Sequence, residues 1–576
     1  MKIRYSLMTI VFLLIFLELC FAQWSTDPAE NNIVSRYLQN PIIASDMQNG
    51  ILVAGQTHPQ HAVIYVQRMS VDGARLWPGE MGVKICDSPL EQWLTPAGAT
   101  PDIEYFLSDG ERGCYIGYQI AKFIGMYGES DYHDQFAYIQ RLDSNGNRLF
   151  GPNGLELMPE EEDSTGHKQR ITYWCLDGQG GIYVSFYRIE GTFGDNYQKN
   201  GCYLARISGN GEFIWGPKNI ANYSHHLIPY LDKDLNLNIY YYPNETVPPV
   251  SIDKFIKINA NTGEIISEKE IEIGAGDYGF NIFFDFSFSD NYSAIFAFQD
   301  FRTDTLRVQK LDEDGNKLWG DEPIIVTSKI KRNNFDVESD QKGGSYIYYN
   351  TDNDTFRITH FDRQGNRSWD KSFYSTHWIN RHDEKISVDS NGDAFLLTER
   401  YKYLTKIANT GEVLWITTVT TRDTLASSWS HGLKADSLGG CIVLWHEIGK
   451  FVSDFVGFRA QRVDVYGYLG GPTLVPNLKK VKLPEILKLK TAYPNPFNNS
   501  ILIYLLAPHC CNIDFKIYNI LGKEVYSLKS KNLAVGENII TWNGKDINGQ
   551  DVASGLYFYQ LKTNESVQTK KLTLIR

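Results

Sequence analysis

Cysteine is scarce, with eight in 576 residues, and one of these, Cys20, falls in an N-terminal apolar segment. The other seven stand at 86, 114, 175, 202, 441, 510 and 511. An odd number at irregular spacing is no disulfide framework, and without a Cys-x-x-Cys pair there is no zinc knuckle. Packing therefore has to hold the chain together. Positive charge is also short, 56 Lys/Arg against 68 Asp/Glu for a net −12, which excludes a general nucleic-acid binder. After the first twenty-odd residues no apolar run is long enough for a membrane-spanning helix. Catalytic signatures are missing too. There is no Gly-x-Ser-x-Gly elbow, no phosphate loop and no His-Glu-x-x-His pair, since Lys450 stands where His446-Glu447 would need its second histidine. His58 with His61, and His225 with His226, offer two nitrogens each and read as polar surface. The expectation is therefore no catalytic, cofactor-binding or metal-ligating residue in the body of the chain.

What is abundant is a turn phrase written over and over. Its clearest copy runs from Val308 through Asp312, Asp314 and Gly315 to Trp319 and Gly320. An alternating strand enters an Asp/Asn turn, a glycine reverses the chain, and an aromatic follows four residues later. The phrase recurs at 66–77, 138–150, 203–215, 307–319, 357–369 and 403–415, with degenerate copies around Gly263 and Gly467. Asp or Asn before Gly supplies the left-handed backbone of a tight hairpin. The aromatics, Trp77, Phe150, Trp215, Trp319, Trp369 and Trp415, occupy one place in every repeat, suited to wedging one sheet against the next. The turns 143–147 and 389–393 also carry alternating oxygens, but neither has the distal bidentate Glu of a calcium loop.

Each phrase has a partner upstream, a second turn followed by a β-rich run, as in Leu176 to Tyr187. Two hairpin turns per repeat leave room for four strands. A lone four-stranded sheet leaves its faces bare, whereas sheets stacked radially bury them against one another. The expected fold is all-β, an eight-bladed β-propeller with seven blades as the alternative, over residues 23–470. The first two repeats are the longest, so loops are expected at 122–135 and 159–170. The segment 409–415 is weakly and locally similar to the tryptophan-docking repeat of quinoprotein dehydrogenases, a likeness that implies a propeller and carries no cofactor site.

The two ends differ from the body. Residues 1–22 read as a secretory signal peptide, with Lys2 and Arg4 ahead of the apolar run Leu7 to Leu17 and a small-x-small site at Cys20 to Ala22. Near Gly470 the composition shifts to a linker at 471–490, with Pro476, Pro484 and five lysines. From Leu478 onward there are 14 Lys/Arg and 7 Asp/Glu, a net +7, while 23–477 carries about −20. Such asymmetry indicates separate modules with separate partners. Strands alternate with turns from Ile501 to the end, the pattern of a small immunoglobulin-like β-sandwich of about seven strands at 491–576.

The motifs of that last segment go further. It opens Tyr493-Pro494-Asn495-Pro496-Phe497, continues through Ile517 to Val525 around Gly522, and passes Trp542-Asn543-Gly544-Lys545-Asp546 and Gly549. It then runs through Gly555, Leu556, Tyr557 and Phe558 to a basic and apolar end at Lys570-Lys571. In these ordered pieces it closely resembles the C-terminal sorting domain of the type IX secretion system of Bacteroidota and related Gram-negative bacteria. The resemblance implies passage through the periplasm to the cell surface or beyond, with the secretion machinery as partner. It also implies removal of the domain, and release of the cargo or its attachment to surface lipopolysaccharide. Asn495, Phe497, Gly522, Trp542, Gly544, Gly549, Gly555, Tyr557, Lys570 and Lys571, with Tyr493, Pro494 and Pro496, are the residues it marks. For the body, the leading expectation is a non-enzymatic module binding a protein or glycan. The rival is a secreted polysaccharide hydrolase or lyase with carboxylates in the funnel.

Overall fold

The computed structural model is all-β, with no helix among the described residues. Those residues are 24–27, 32–36, 38–57, 63–87, 103–127, 130–158, 167–190, 199–222, 224–243, 254–271, 282–289, 292–300, 303–330, 335–351, 355–374, 386–398, 403–420, 431–448 and 456–470. In the tail they are 488–489, 492, 495, 497–498, 501–507, 511–533, 536–547, 549–563 and 567–575. The expected signal segment, and Tyr493, Pro494 and Pro496, lie outside them.

Four-stranded antiparallel units follow one another along the body. The first is Gln39–Ser45, Ile51–Gln56, Ile64–Met69 and Val83–Lys84, and the fifth is Ile282–Phe288, Ala294–Asp300, Thr305–Leu311 and Ile324–Thr327. Among the described residues there are eight such units, the second and third joined by a parallel bridge from Lys168 to Gln135. The eighth has three strands of its own, His431–Ala435, Cys441–Ile448 and Val456–Val463. Its fourth is Asn32–Arg36 from the start of the chain. The first strands of neighbouring units lie side by side, and that of the eighth meets that of the first. The fourth and fifth share a core of Ile228, Tyr230, Phe286 and Phe296. This is the arrangement of a β-propeller, followed by a C-terminal β domain.

Strands such as Ile51–Gln56 and Ala294–Asp300 are buried along their whole length, as expected of strands covered on both faces. The long segment expected as a loop at 122–135 is largely strand instead. Cys114–Tyr127 and Ser130–Leu142 pair from Cys114 with Leu142 out to Tyr127 with Ser130. The alternating run that builds the hairpin simply continues past the body of the sheet.

The repeated aromatics form the seams. Each turn glycine has a positive φ between 66° and 88°, and a Cβ built there would come within 2.6–3.1 Å of an aromatic ring. Trp77 covers Gly146, Phe150 covers Gly211, Trp215 covers Gly263, Trp319 covers Gly365, Trp369 covers Gly411 and Trp415 covers Gly467. Each indole also donates its N–H to a carbonyl in the turn it covers: Ser144 at 3.1 Å, Ala260 at 2.7 Å, Arg363 at 3.0 Å, Asn409 at 2.8 Å and Val465 at 2.9 Å. All six aromatics are buried except Trp369, which is half-buried. Glycine is needed at these turns twice over, for its backbone conformation and for the flat contact.

Two seams lack a repeat aromatic, and other residues fill them. Phe255, from the strand Lys254–Ile258, covers Gly315. Trp24, far from the repeat in sequence, covers Gly73 and donates to the Val71 carbonyl at 2.6 Å. Beside it, Gln461 of the eighth unit donates to the Ser25 carbonyl. Gln67, Gln140 and Gln309 occupy the equivalent place in their own units, where each accepts the backbone N–H of its own Trp77, Phe150 or Trp319. The N-terminal residues thus stand in for the missing end of the eighth unit.

A second repeat lies beneath the turns. In seven units an aspartate in the upstream turn accepts two backbone N–H groups on Oδ1 and meets a basic side chain through Oδ2. The pairs are Asp46–Arg68, Asp109–Arg141, Asp177–Arg206, Asp232–Lys257, Asp340–His360, Asp389–Lys406 and Asp436–Arg462, at 2.7–3.1 Å. Asp177 shows the pattern, taking Gln179 and Gly181 N–H at 2.7 Å each and the Arg206 guanidinium at 2.9 Å. The fifth unit has Ser289 there, and its Lys310 reaches the Gly343 carbonyl of the next unit at 2.7 Å.

The tail builds its own core from two sheets, Lys488–Leu489, Ile501–Ala507 and Gly536–Trp542 in one, and Cys511–Asn519, Glu524–Leu533, Gly555–Lys562 and Val567–Leu574 in the other. Leu489 belongs to that core, so the tail's first sheet reaches into the segment expected as linker.

Trp319→Ala should lower the unfolding free energy by about 3–5 kcal/mol, and Trp24→Ala by a similar amount because it closes the last seam. Urea unfolding of the full chain checks this. A loss under about 1 kcal/mol for both would mean the seams do not depend on these rings.

Candidate functional site

Two places bring together side chains that the folding of a repeat does not by itself require. The first is the inner ring of the body. Asp285, on Ile282–Phe288, and Asp336, on Phe335–Ser339, meet as a hydrogen-bonded carboxyl pair between the fifth and sixth units. Asp285 Oδ1 accepts the Phe286 N–H at 2.9 Å and Oδ2 the Val337 N–H at 3.0 Å. Two residues on, Ser287 accepts the Ser339 N–H and donates to Glu338 Oε2, both at 2.9 Å. Burial, then the charge and hydrogen bond of Asp336, push the Asp285 carboxyl well up, against the pull of the Phe286 and Val337 amides. Protein crowds this carboxyl although part of its surface still meets solvent.

Nearby, Tyr173 of the third unit packs edge-on against Phe286 at 5.2 Å, and Tyr105 of the second unit lies 5.9 Å from Tyr173 and 5.8 Å from Trp174. Burial, with the Asp285 charge adding to it, pushes the Tyr173 hydroxyl up as well. Inner strands of three units are thus tied by aromatics beside one acid pair. Chemically the pair can share a proton and hold two strands together. Both oxygens of Asp285 are already engaged by backbone amides, which leaves this group poorly placed to attack or protonate a substrate.

Among the described residues no group of three or more His, Cys, Asp or Glu could hold a metal ion. Asp143 spends its oxygens inside its own turn, on the Asn145 and Asn147 amides and the Asn147 side chain, all at 2.8 Å. Burial works against its ionisation, but those hydrogen bonds outweigh it and hold the carboxyl below the usual range. His58 and His61 lie outside the described residues. Cys86, Cys114, Cys175 and Cys441 are free thiols.

The second place is the tail, where most of the marked residues converge. Phe497, Trp542 and Tyr557 are buried and pack in sequence, tilted and then edge-on, with ring centroids 5.6 Å and 5.3 Å apart. Trp542 Nε1 donates to the Lys545 carbonyl at 2.8 Å, and the Tyr557 hydroxyl donates to the Ala553 carbonyl at 2.6 Å. Gly522, Gly544 and Gly549 have positive φ in the turns that join these strands. A Cβ on Gly555 would meet nothing. Asn495 and Phe497 bond to the last strand through Lys571, Thr573 and Ile575. Lys570 and Lys571 are exposed. Motifs separated by nearly eighty residues therefore form one assembly about the end of the chain.

Raising the pH should expose the acid pair. A carboxyl whose folded value is raised contributes its stability below the ordinary carboxylate range, and loses it as pH climbs through the folded value. Asp336→Asn supplies an amide donor in place of the shared proton. The variant should match the parent near pH 4 and gain on it up to pH 8, by at most about 1.4 kcal/mol per pH unit. Urea unfolding across that range checks this, and a pH-independent difference would rule out proton sharing.

Residues 491–575 match the family described as Secretion system C-terminal sorting domain. No curated protein matches the chain. Among solved structures, PorZ, described as an essential bacterial surface component of the type IX secretion system of Porphyromonas gingivalis, is similar at 11% identity. That similarity covers 95% of this chain and 82% of PorZ, with a TM-score of 0.19. A Bacteroides caccae protein of unknown function is 14% identical over 50% of this chain and 90% of its own, TM-score 0.21. The polysaccharide lyase Uly1 is 10% identical over 65% and 91%, TM-score 0.36. No helix among the described residues is long and apolar enough to cross a membrane. The tail implies interaction with the type IX machinery and export to the cell surface or extracellular space. Residues 491–575 are a secretion system C-terminal sorting domain.

Proposed function

We propose that this protein is a type IX cargo whose body is an eight-bladed propeller that binds a protein or glycan ligand at the cell surface, without catalysis. The sorting tail carries the export half of this reading. In detail, residues 1–22 act as signal peptide, 23–470 as propeller, 471–490 as linker up to the first tail strand at Lys488–Leu489, and 491–576 as an immunoglobulin-like sorting module. That module is removed on export, and the cargo is released or attached to lipopolysaccharide.

The binding half is supported by where exposed apolar side chains fall. In an antiparallel four-strand unit, the turn after the first strand and the turn after the third lie at the same end. Met47, Leu235, Tyr292 and Leu438 sit exposed on first turns and Tyr466 on a third turn. One end of the ring thus carries a spaced set of apolar side chains, a feature of interaction surfaces. Asp285 and Asp336, the acid pair a hydrolase or lyase would call on, are occupied with holding two strands together.

Deleting Lys570–Arg576 should strand the full chain in the periplasm of a bacterium that has this secretion system, as fractionation and surface proteolysis would report. Mass spectrometry of the exported parent should find a new C-terminus within or just after 471–490. Surface display of the truncated chain would overturn the export reading. For the body, glycan and surface-protein arrays should show binding that Tyr292→Ser with Tyr466→Ser weakens at least tenfold. Polysaccharide turnover abolished by Asp285→Asn would establish the hydrolase or lyase instead.

A further inference from the structure

Asn495 is exposed, yet it makes two hydrogen bonds of unusual form. Its Nδ2 donates to the Lys571 carbonyl at 3.3 Å and its Oδ1 accepts the Thr573 N–H at 2.8 Å. One side-chain amide thus does for the last strand what the peptide group of a neighbouring strand would do. Two residues on, the backbone takes over. The Phe497 N–H donates to the Thr573 carbonyl at 3.0 Å, and Phe497 accepts the Ile575 N–H at 2.8 Å, pairing Phe497 with Leu574 in parallel. Meanwhile the Phe497 ring is pinned in the tail core against Trp542.

The chemistry of the motif follows from this geometry. Pro494 and Pro496 have no amide hydrogen to offer the strand, and the side chain between them supplies a donor. Asn carries a donor and an acceptor on one short planar group, Asp lacks the donor, and Ser lacks the second heavy atom that spans both partners. The segment held is the kind that frays most readily, a terminal strand at a sheet edge. Lys570 and Lys571 lie exposed directly before the held residues.

We propose that Asn495 and Phe497 form a clasp that holds the terminal strand in register, and that the export machinery reads this clasped strand with Lys570 and Lys571 displayed on it. Asn495 is then a positioning residue that itself need not touch the machinery. This rests on the sorting reading of the tail.

The test uses the full chain in a bacterium with the type IX system, together with amide exchange of the purified protein. In Asn495→Ala, exchange at Thr573 and Ile575 should speed at least tenfold while Leu505 and Ile540 keep the parent's rate. Surface export should fall at least tenfold. Asn495→Asp retains the acceptor for Thr573 and should fall between, so that export follows exchange at the terminal strand across the series. Lys570→Ala with Lys571→Ala should lose export with parent-like exchange. Normal export of Asn495→Ala despite fast exchange at Thr573 would overturn the clasp, and so would parent-like exchange there. Faster exchange throughout the tail would reduce Asn495 to general stability and overturn the proposal as well. Export of the double lysine variant would overturn the display of that pair. If deletion of Lys570–Arg576 is also exported, the sorting reading itself falls, which separates the two failures.

Discussion

An aromatic ring laid flat on a glycine of the neighbouring turn is the contact on which the body depends. It does three things at once. It buries a large apolar ring, it excludes any side chain from the turn it covers, and where the ring is an indole its N–H satisfies a turn carbonyl that would otherwise lose water. Because each ring belongs to one unit and each glycine to the next, no unit completes its own surface. Cooperation between neighbours is therefore built in, as in other repeat folds. The ring must also close, and Trp24 against Gly73 shows how. The chain lends its first residues to its last unit.

The buried aspartates serve the same end from below. An Asp that already accepts two turn amides can be desolvated at modest cost only if its second oxygen meets a cation, and such a pair costs most when one partner is removed. The pattern loosens around the fifth and sixth units. Ser289 replaces the aspartate, His360 replaces the Arg or Lys, and burial lowers the Lys310 ammonium while the Asp340 charge opposes that. Burial also works against Asp340, but the His360 hydrogen bond and the Lys342 and Gly344 amides hold its carboxyl below the usual range. The same seam carries Asp285 and Asp336. Its electrostatics are thus the least regular of the ring, with the Asp285 carboxyl pushed up and the Asp340 carboxyl held down within two neighbouring units.

The tail solves a separate problem. It packs around a core of its own, and its last strand lies at the edge of one sheet. Its core of Phe497, Trp542 and Tyr557 is compact and independent of the acidic body, consistent with a net +7 module attached to a −20 one. The sorting motifs lie in the tail and the repeats in the body, two segments of opposite net charge.

Much of this was legible in the residues alone, because turns and strands answer to local rules. Asp or Asn before Gly dictates a hairpin wherever it occurs, so the repeat, the all-β class and the tail's strands could be read directly. The sorting motifs could be read for the same reason, as residues at fixed offsets. What could not be read is whatever depends on residues brought together by closure of the ring. Trp24 carries no repeat signature, and only its arrival at Gly73 reveals its part. A cation stands five residues before the turn glycine in Arg68, Arg141, Arg206, Lys406 and Arg462, yet its meaning needed the aspartate that meets it across the sheet. The extension of Cys114–Tyr127 and Ser130–Leu142 into one long hairpin, where a loop was expected, was decided by pairing between strands. Asp285 and Asp336 lie 51 residues apart, and Asn495 and Thr573 78 apart. Local propensity sets the strands and turns, while the protonation of a carboxyl pair and the role of a lone asparagine are set by neighbours that only the tertiary structure supplies.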